Sequence, residues 1–231
     1  MDREELYRIA RDAVREEELT GDEIPAIDLY VDQIINLVSD KLRTGSERYR
    51  DRQLTKTMIN NYSKDGLIAP IKGKKYNKEQ IIQILTVYTL KNTLSIGQIK
   101  RLLDGAYSIE GFDGEALTEV YDRHLEIKRS NRDYTLEILD GLMERQGLDT
   151  DDEREFMLLV GSLLSLSAFL RQTAQAMIDV KYPIPAEVEE KKEEKKSARK
   201  EKEKAKSRKK REPDASAASD SKSAEAEDAE G

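Results

Sequence analysis

Apolar residues recur at three- and four-residue spacing through most of the first 180 positions, which predicts a helical chain. Over Asp2–Glu18 the stripe is Leu6, Ile9, Ala10, Ala13 and Val14, and Thr20-Gly21-Asp22-Glu23-Ile24-Pro25 breaks it. A second helix is expected over Asp28–Leu42, where Leu29, Val31, Ile34, Ile35, Leu37 and Val38 can seat on a core. After a polar stretch, 43–52, comes a short helix in which Leu54, Met58, Ile59 and Tyr62 share one face. Lys56, Thr57, Asn60, Asn61 and Lys64 fall on the other face. Thr55 suits its N-cap, and Gly66 suits a left-handed stop. Leu67–Ile71 is too short and too Pro-punctuated for a helix, so Lys72-Gly73-Lys74-Lys75-Tyr76 reads as a hairpin tip.

Further on, Lys78–Leu90 carries Ile81, Ile82, Ile84, Leu85, Val87 and Tyr88, and Leu94–Leu103 is again helical. Gly105–Gly114 is expected as a loop. Two moderately amphipathic helices, Glu115–Ser130 and Arg132–Gln146, follow and stop at Gly147. Asp149, Asp151 and Asp152 supply caps and favourable dipole charge for a long helix over Glu153–Val180. That helix is apolar nearly all round, from Phe156 to Leu170. It is therefore expected to be a central helix, covered by its own domain and by a second copy of the chain. Its uncharged run ends at Glu155 and Arg171, short of the roughly 18–20 residues of a membrane span, so no membrane is expected. Tyr182-Pro183-Ile184-Pro185 closes the folded region. The expected organisation is an N-terminal helix (1–23), a first domain (24–106), a helical region (107–182) and a disordered, charged tail (183–231).

Charge sharpens this picture by segment. The net charge is −7, yet Arg43–Lys78 holds ten Lys/Arg against three acids, and Asp113–Val180 holds fifteen acids against seven bases. A basic region thus sits on an acidic helical body, and a basic cluster is the footprint of phosphate binding. Glu187–Glu212 has thirteen bases and eight acids with no apolar stripe, which cannot bury a core. The chain has no cysteine and one histidine, His124. Disulfides, thiolate metal sites and cysteine nucleophiles are excluded, and no catalytic constellation, metal site or cofactor loop emerges. Met1-Asp2-Arg3-Glu4-Glu5 lacks an apolar core, so a secretory signal is not expected and a cytoplasmic location is.

Met58-Ile59-Asn60-Asn61-Tyr62-Ser63-Lys64-Asp65-Gly66-Leu67-Ile68 resembles the recognition helix and following turn of MerR-type regulators, and Leu94–Leu103 is similar to the close of their DNA-binding domain. The run from Ile24 to about Asp179 more specifically resembles a bacterial family of unknown function, domain-of-unknown-function family 1836. The resemblance implies a mainly α chain: a MerR-like winged helix-turn-helix, then a helical bundle. It also implies double-stranded DNA as partner. Lys56, Thr57, Asn60, Asn61, Tyr62 and Lys64 would be contact residues on the recognition helix, and Lys72, Lys74, Lys75 and Tyr76 on the wing. Two departures stand out. The polar insertion 43–52 replaces the tight turn of MerR-type regulators, and Asn60 and Asn61 stand where those regulators carry Arg and Tyr. The expected function is a dimeric DNA-binding regulator, the dimer formed through Glu153–Val180. The competing class is a non-catalytic adaptor whose winged domain binds no DNA.

Overall fold

A computed structural model describes residues 1–42, 53–71 and 73–184 of the chain. Cα packing divides the chain into Met1–Pro183 and Ile184–Gly231, and all of the second unit but Ile184 lies outside the described residues. The expected tail from Pro185 onward, Lys72 and the insertion 43–52 all lie outside the described residues.

The described part is mainly α, with seven helices. In chain order these are α1 (Arg3–Ala13), α2 (Val31–Leu42), α3 (Lys56–Lys64), α4 (Lys78–Leu90), α5 (Ile96–Tyr107), α6 (Gly114–Gln146) and α7 (Glu153–Lys181). Two short strands, β1 (Leu29–Tyr30) and β2 (Lys75–Tyr76), pair antiparallel with Leu29 opposite Tyr76 and Tyr30 opposite Lys75.

The core is built on α4. Its capping box joins Asn77 and Gln80, and Ile81, Ile82, Gln83, Ile84, Leu85 and Val87 are all buried. Around it pack Ile34 and Val38 of α2, Ile59 and Tyr62 of α3, Ile99 of α5, and Leu117, Tyr121 and Leu125 of α6. Leu19 and Ile24 close the same core from the N-terminal segment, where Tyr121 Oη donates to Leu19 O at 2.7 Å. A second, smaller cluster joins Leu6 of α1 to Leu139 and Met143 of α6 and Leu159 of α7.

Several expectations are corrected by this packing. The helix expected from Asp28 begins only at Val31, because Leu29 and Tyr30 pair with β2 and Tyr30 N donates to Gln33 Oε1 at 2.9 Å. The helix expected to Glu18 stops at Ala13. Beyond it the chain is extended so that Glu16 and Glu18 both reach Lys128 on α6, while Arg132 binds Glu16 O. Burial opposes the charge on Lys128, but the hydrogen bonds it donates to Glu16 and Glu18 outweigh it and raise its pKa. Gly105 lies inside α5 rather than opening a loop. A Cβ there would meet the Tyr182 ring at 2.3 Å, so the residue has to be glycine for α7 to end against α5. The two helices expected over 115–146 are one, α6. Ser130 and Asn131 are weak helix formers, but neither removes a backbone hydrogen bond as proline would.

The largest correction concerns α7. It is not central: only Leu159 and Ile178 are buried, and Met157, Leu164, Phe169 and Met177 are among the exposed side chains. The all-round buried helix is α4. By length and composition α7 could cross a membrane, contrary to the expectation that its apolar run is too short: a window of it reaches a mean hydropathy of 1.4, and little of that window is buried.

Candidate nucleic-acid interface

The candidate interface starts from α3, whose two ends are fixed by local chemistry. Thr55 accepts from Met58 N at 3.2 Å and satisfies one orphan donor of the first turn. At the other end Gly66 adopts φ +67°, Leu67 N donates to Tyr62 O at 2.9 Å, and Gly66 N donates to Ser63 O at 3.1 Å. These are the two bonds of a Schellman stop, and Tyr62 and Leu67 supply its apolar contact. Thr55 and Gly66 thus act as their spacing predicts.

Between these ends the helix divides by face. Ile59 is fully buried and Tyr62 is 4% exposed, whereas Lys56, Thr57, Asn60, Asn61 and Lys64 are all exposed. The buried face fixes the helix on the core, and the outer one holds two ammonium groups, two carboxamides and a hydroxyl. These groups bond to phosphate oxygens and base edges.

The expected hairpin does not form locally. Pro70 has no N–H, and the polar groups around it are already engaged: Ala69 N donates to Gln83 Oε1 at 2.8 Å, and Gln80 Nε2 donates to Ala69 O and Pro70 O. Gln83 Nε2 in turn donates to Tyr107 Oη at 2.6 Å, which donates to Glu79 Oε1 at 2.9 Å. Two buried glutamines of α4 therefore hold the segment after α3 as a fixed loop. Gly73, at φ +81°, and Lys74 turn the chain into β2, which finds its partner in β1, far back in sequence. The resulting ribbon has a buried side, Leu29 and Tyr76, and an outer side, Tyr30 and Lys75. Lys75 Nζ stands 5.0 Å from the centroid of the Tyr30 ring, a cation–π placement that keeps the ammonium outward.

Of the expected contact residues, Lys56, Thr57, Asn60, Asn61 and Lys64 share one exposed helix face, and Lys74 and Lys75 are exposed at the ribbon. Lys72 lies outside the described residues. Tyr62 and Tyr76 are corrected: both are 4% exposed and serve the core. The Tyr62 hydroxyl is pushed up to about 12, by burial first and then by Tyr88, and has no hydrogen-bond partner among the described residues.

Two lysines missed at the sequence level flank α3. Lys100 Nζ donates to Asp65 O at 3.2 Å beside its C-terminal stop. Lys91 Nζ lies 3.3 Å from Met58 Sδ and 4.7 Å from the Tyr88 ring centroid, and burial lowers its pKa. Their spacing from α3 in sequence carries no signal, because only the packing of α4 and α5 brings them there. Among the described residues no group of His, Cys, Asp or Glu is placed to hold a metal ion.

Fold and site together define a small helical domain that presents one polar, lysine-bearing helix beside a two-stranded ribbon. Residues 19–124 of it match a family described as Domain of unknown function (DUF1836). The match covers less than half of the chain and ends within α6, well short of the expected limit near Asp179. No curated protein and no solved structure matches the chain.

Proposed function

We propose that the chain is a DNA-binding transcriptional regulator with a MerR-like winged helix-turn-helix, α3 being its recognition helix. One observation carries this reading. The five polar side chains of α3 are all exposed on one face, while the opposite face is pinned by Ile59 and Tyr62. The order β1, α2, α3, β2 supports it, since it sets a lysine-bearing ribbon beside a helix that follows another helix. Asn60 and Asn61 would read base edges, and Lys56, Lys64, Lys74 and Lys75 would contact phosphates. The protein would act in the cytoplasm, on double-stranded DNA.

Duplex retention by the purified chain across a salt series is the primary test. Changing Lys74 and Lys75 to alanine lowers the slope of log affinity against log salt by about two, roughly one per lost phosphate contact, and weakens all sequences alike. An unchanged slope removes the ribbon from the interface. Changing Asn60 and Asn61 to alanine acts differently. A carboxamide paired bidentately with adenine discriminates by about 1–3 kcal/mol, so preference for a selected site falls by roughly ten- to a hundredfold while random-duplex affinity holds. Equal losses on both duplexes assign these residues to the backbone. A chain retained by no duplex at low salt is instead an adaptor, a reading favoured by the exposed apolar side chains Val120, Ile127 and Tyr134 of α6.

A further inference from the structure

Helix α7 has one face that its own chain covers only near the C-terminal end. Glu153, Met157, Val160, Leu164, Ser167 and Arg171 follow one another at alternating steps of four and three residues, so they form a single stripe, the spacing of a helix that packs on another helix. All six are exposed, Met157 at 70% and Leu164 at 67%. The stripe continues through Gln175, Ile178 and Tyr182, and there α5 is its cover. Gln175 Nε2 donates to Thr93 O at 2.8 Å just ahead of α5, Ile178 is buried, and the Tyr182 ring fills the space over Gly105. Arg101 of α5 binds both the Asp179 carboxylate and Tyr182 O. The face is thus a packing surface in its last third, and residues 153–171 are the part that the chain leaves open.

That open part reads the same in both directions about Ser162, and its two ends carry opposite charge. Laid antiparallel on a second copy, it sets Glu153 against the partner's Arg171 at one end and Arg171 against the partner's Glu153 at the other. Met157 then meets the partner's Ser167, and Val160 meets the partner's Leu164. A parallel pairing would instead put like charges together at both ends. Glu153 and Arg171 are both exposed, and although Glu153 feels the charge of the Met1 ammonium, neither side chain makes an ion pair among the described residues.

We propose that the chain forms an antiparallel homodimer in which this stripe of α7 packs on the same stripe of a second copy. The occupant is a second copy because spacing and charge are both self-complementary under a two-fold axis, as an isologous interface requires. The proposal does not rest on the duplex-binding reading, and failure of that reading leaves it untouched.

Sedimentation velocity of the full chain tests it. The wild type sediments as a dimer at micromolar concentration. Leu164→Glu raises the dissociation constant by on the order of a hundredfold or more, since it buries two unpaired carboxylates at the interface centre. Leu164 is exposed in the single chain, so the variant keeps the helical circular dichroism spectrum of the wild type, and its melt falls only by the stability that dimerisation adds. Arg171→Glu weakens the dimer by about tenfold through like charges at both ends, and adding Glu153→Lys restores it.

The chain has no cysteine, which allows a register test. Met157→Cys and Ser167→Cys chains form a disulfide when mixed and oxidised, and neither does so alone. A wild type that stays monomeric overturns the proposal. So does a dimer that survives Leu164→Glu but is lost with Ile127→Glu, which moves the interface to α6. Cysteine variants that each link to themselves exclude the antiparallel register. Co-flotation of the wild type with phosphatidylcholine vesicles, lost with Leu164→Glu, assigns the face to lipid instead.

Discussion

Ile59→Ala lowers the stability of the folded chain by about 2–5 kcal/mol, the cost of an aliphatic side chain removed from a closed core. Ile59 is fully buried on the underside of α3, within the cluster that also contains Ile34, Ile82 and Ile99. The cavity opens beneath the one helix whose outer face is proposed to enter the groove. The urea midpoint therefore falls, with the slope of free energy against denaturant unchanged if the transition stays two-state. Asn60→Ala, one residue away on the exposed face, shifts the midpoint by no more than about 0.5 kcal/mol. Equal effects of the two would mean that α3 is not divided by face.

The second large effect lies behind α3 rather than under it. Replacing Gln80 and Gln83 together by leucine keeps volume but removes the partners of Ala69 N, Ala69 O, Pro70 O and Asn77 N. Orphaned, partly buried backbone groups cost about 1–3 kcal/mol each where water cannot reach them. Allowing for the exposure of Pro70, the pair should cost about 2–4 kcal/mol in total. The loss is local. Ala69 is the amide whose hydrogen exchange accelerates most, because the loop from α3 to β2 is no longer latched to α4. Under the proposed function the variant also shows a shallower salt slope for duplex binding, since Lys74 and Lys75 lose their fixed distance from α3. Unchanged exchange at Ala69 would show that the loop is held by other means.

These two cases mark where sequence reasoning succeeds and where it stops. The faces of α3 were legible because both ends carry strong local signals, Thr55 before it and Gly66 after it, and the apolar residues between them keep helical period. Gln80 shows in the sequence only as the capping-box partner of Asn77, and Gln83 gave no such signal. In the sequence they interrupt an otherwise apolar helix and look like solvent-facing positions, yet both are buried. A glutamine is tolerated inside only when its amide is satisfied, and most of the groups that satisfy this pair, in the loop at Ala69 and Pro70 and on α5 at Tyr107, lie ten or more residues away.

The α3 side chains on offer to a ligand, the helical class of the chain and the lack of any thiol chemistry were thus set by sequence alone, because each depends on residues adjacent in the chain or on composition. Tertiary structure decided the rest. It paired Lys75 with Tyr30 across the ribbon, brought Lys91 and Lys100 to the flanks of α3, and turned Tyr62 and Tyr76 into the core. It also made α4 the central helix in place of α7. Both are rich in apolar residues, and hydrophobic content alone does not say which helix the others surround. The isoleucines of α4 meet covering residues from α2, α3, α5 and α6, whereas α7 is held near its two ends only and leaves a self-complementary stripe in water.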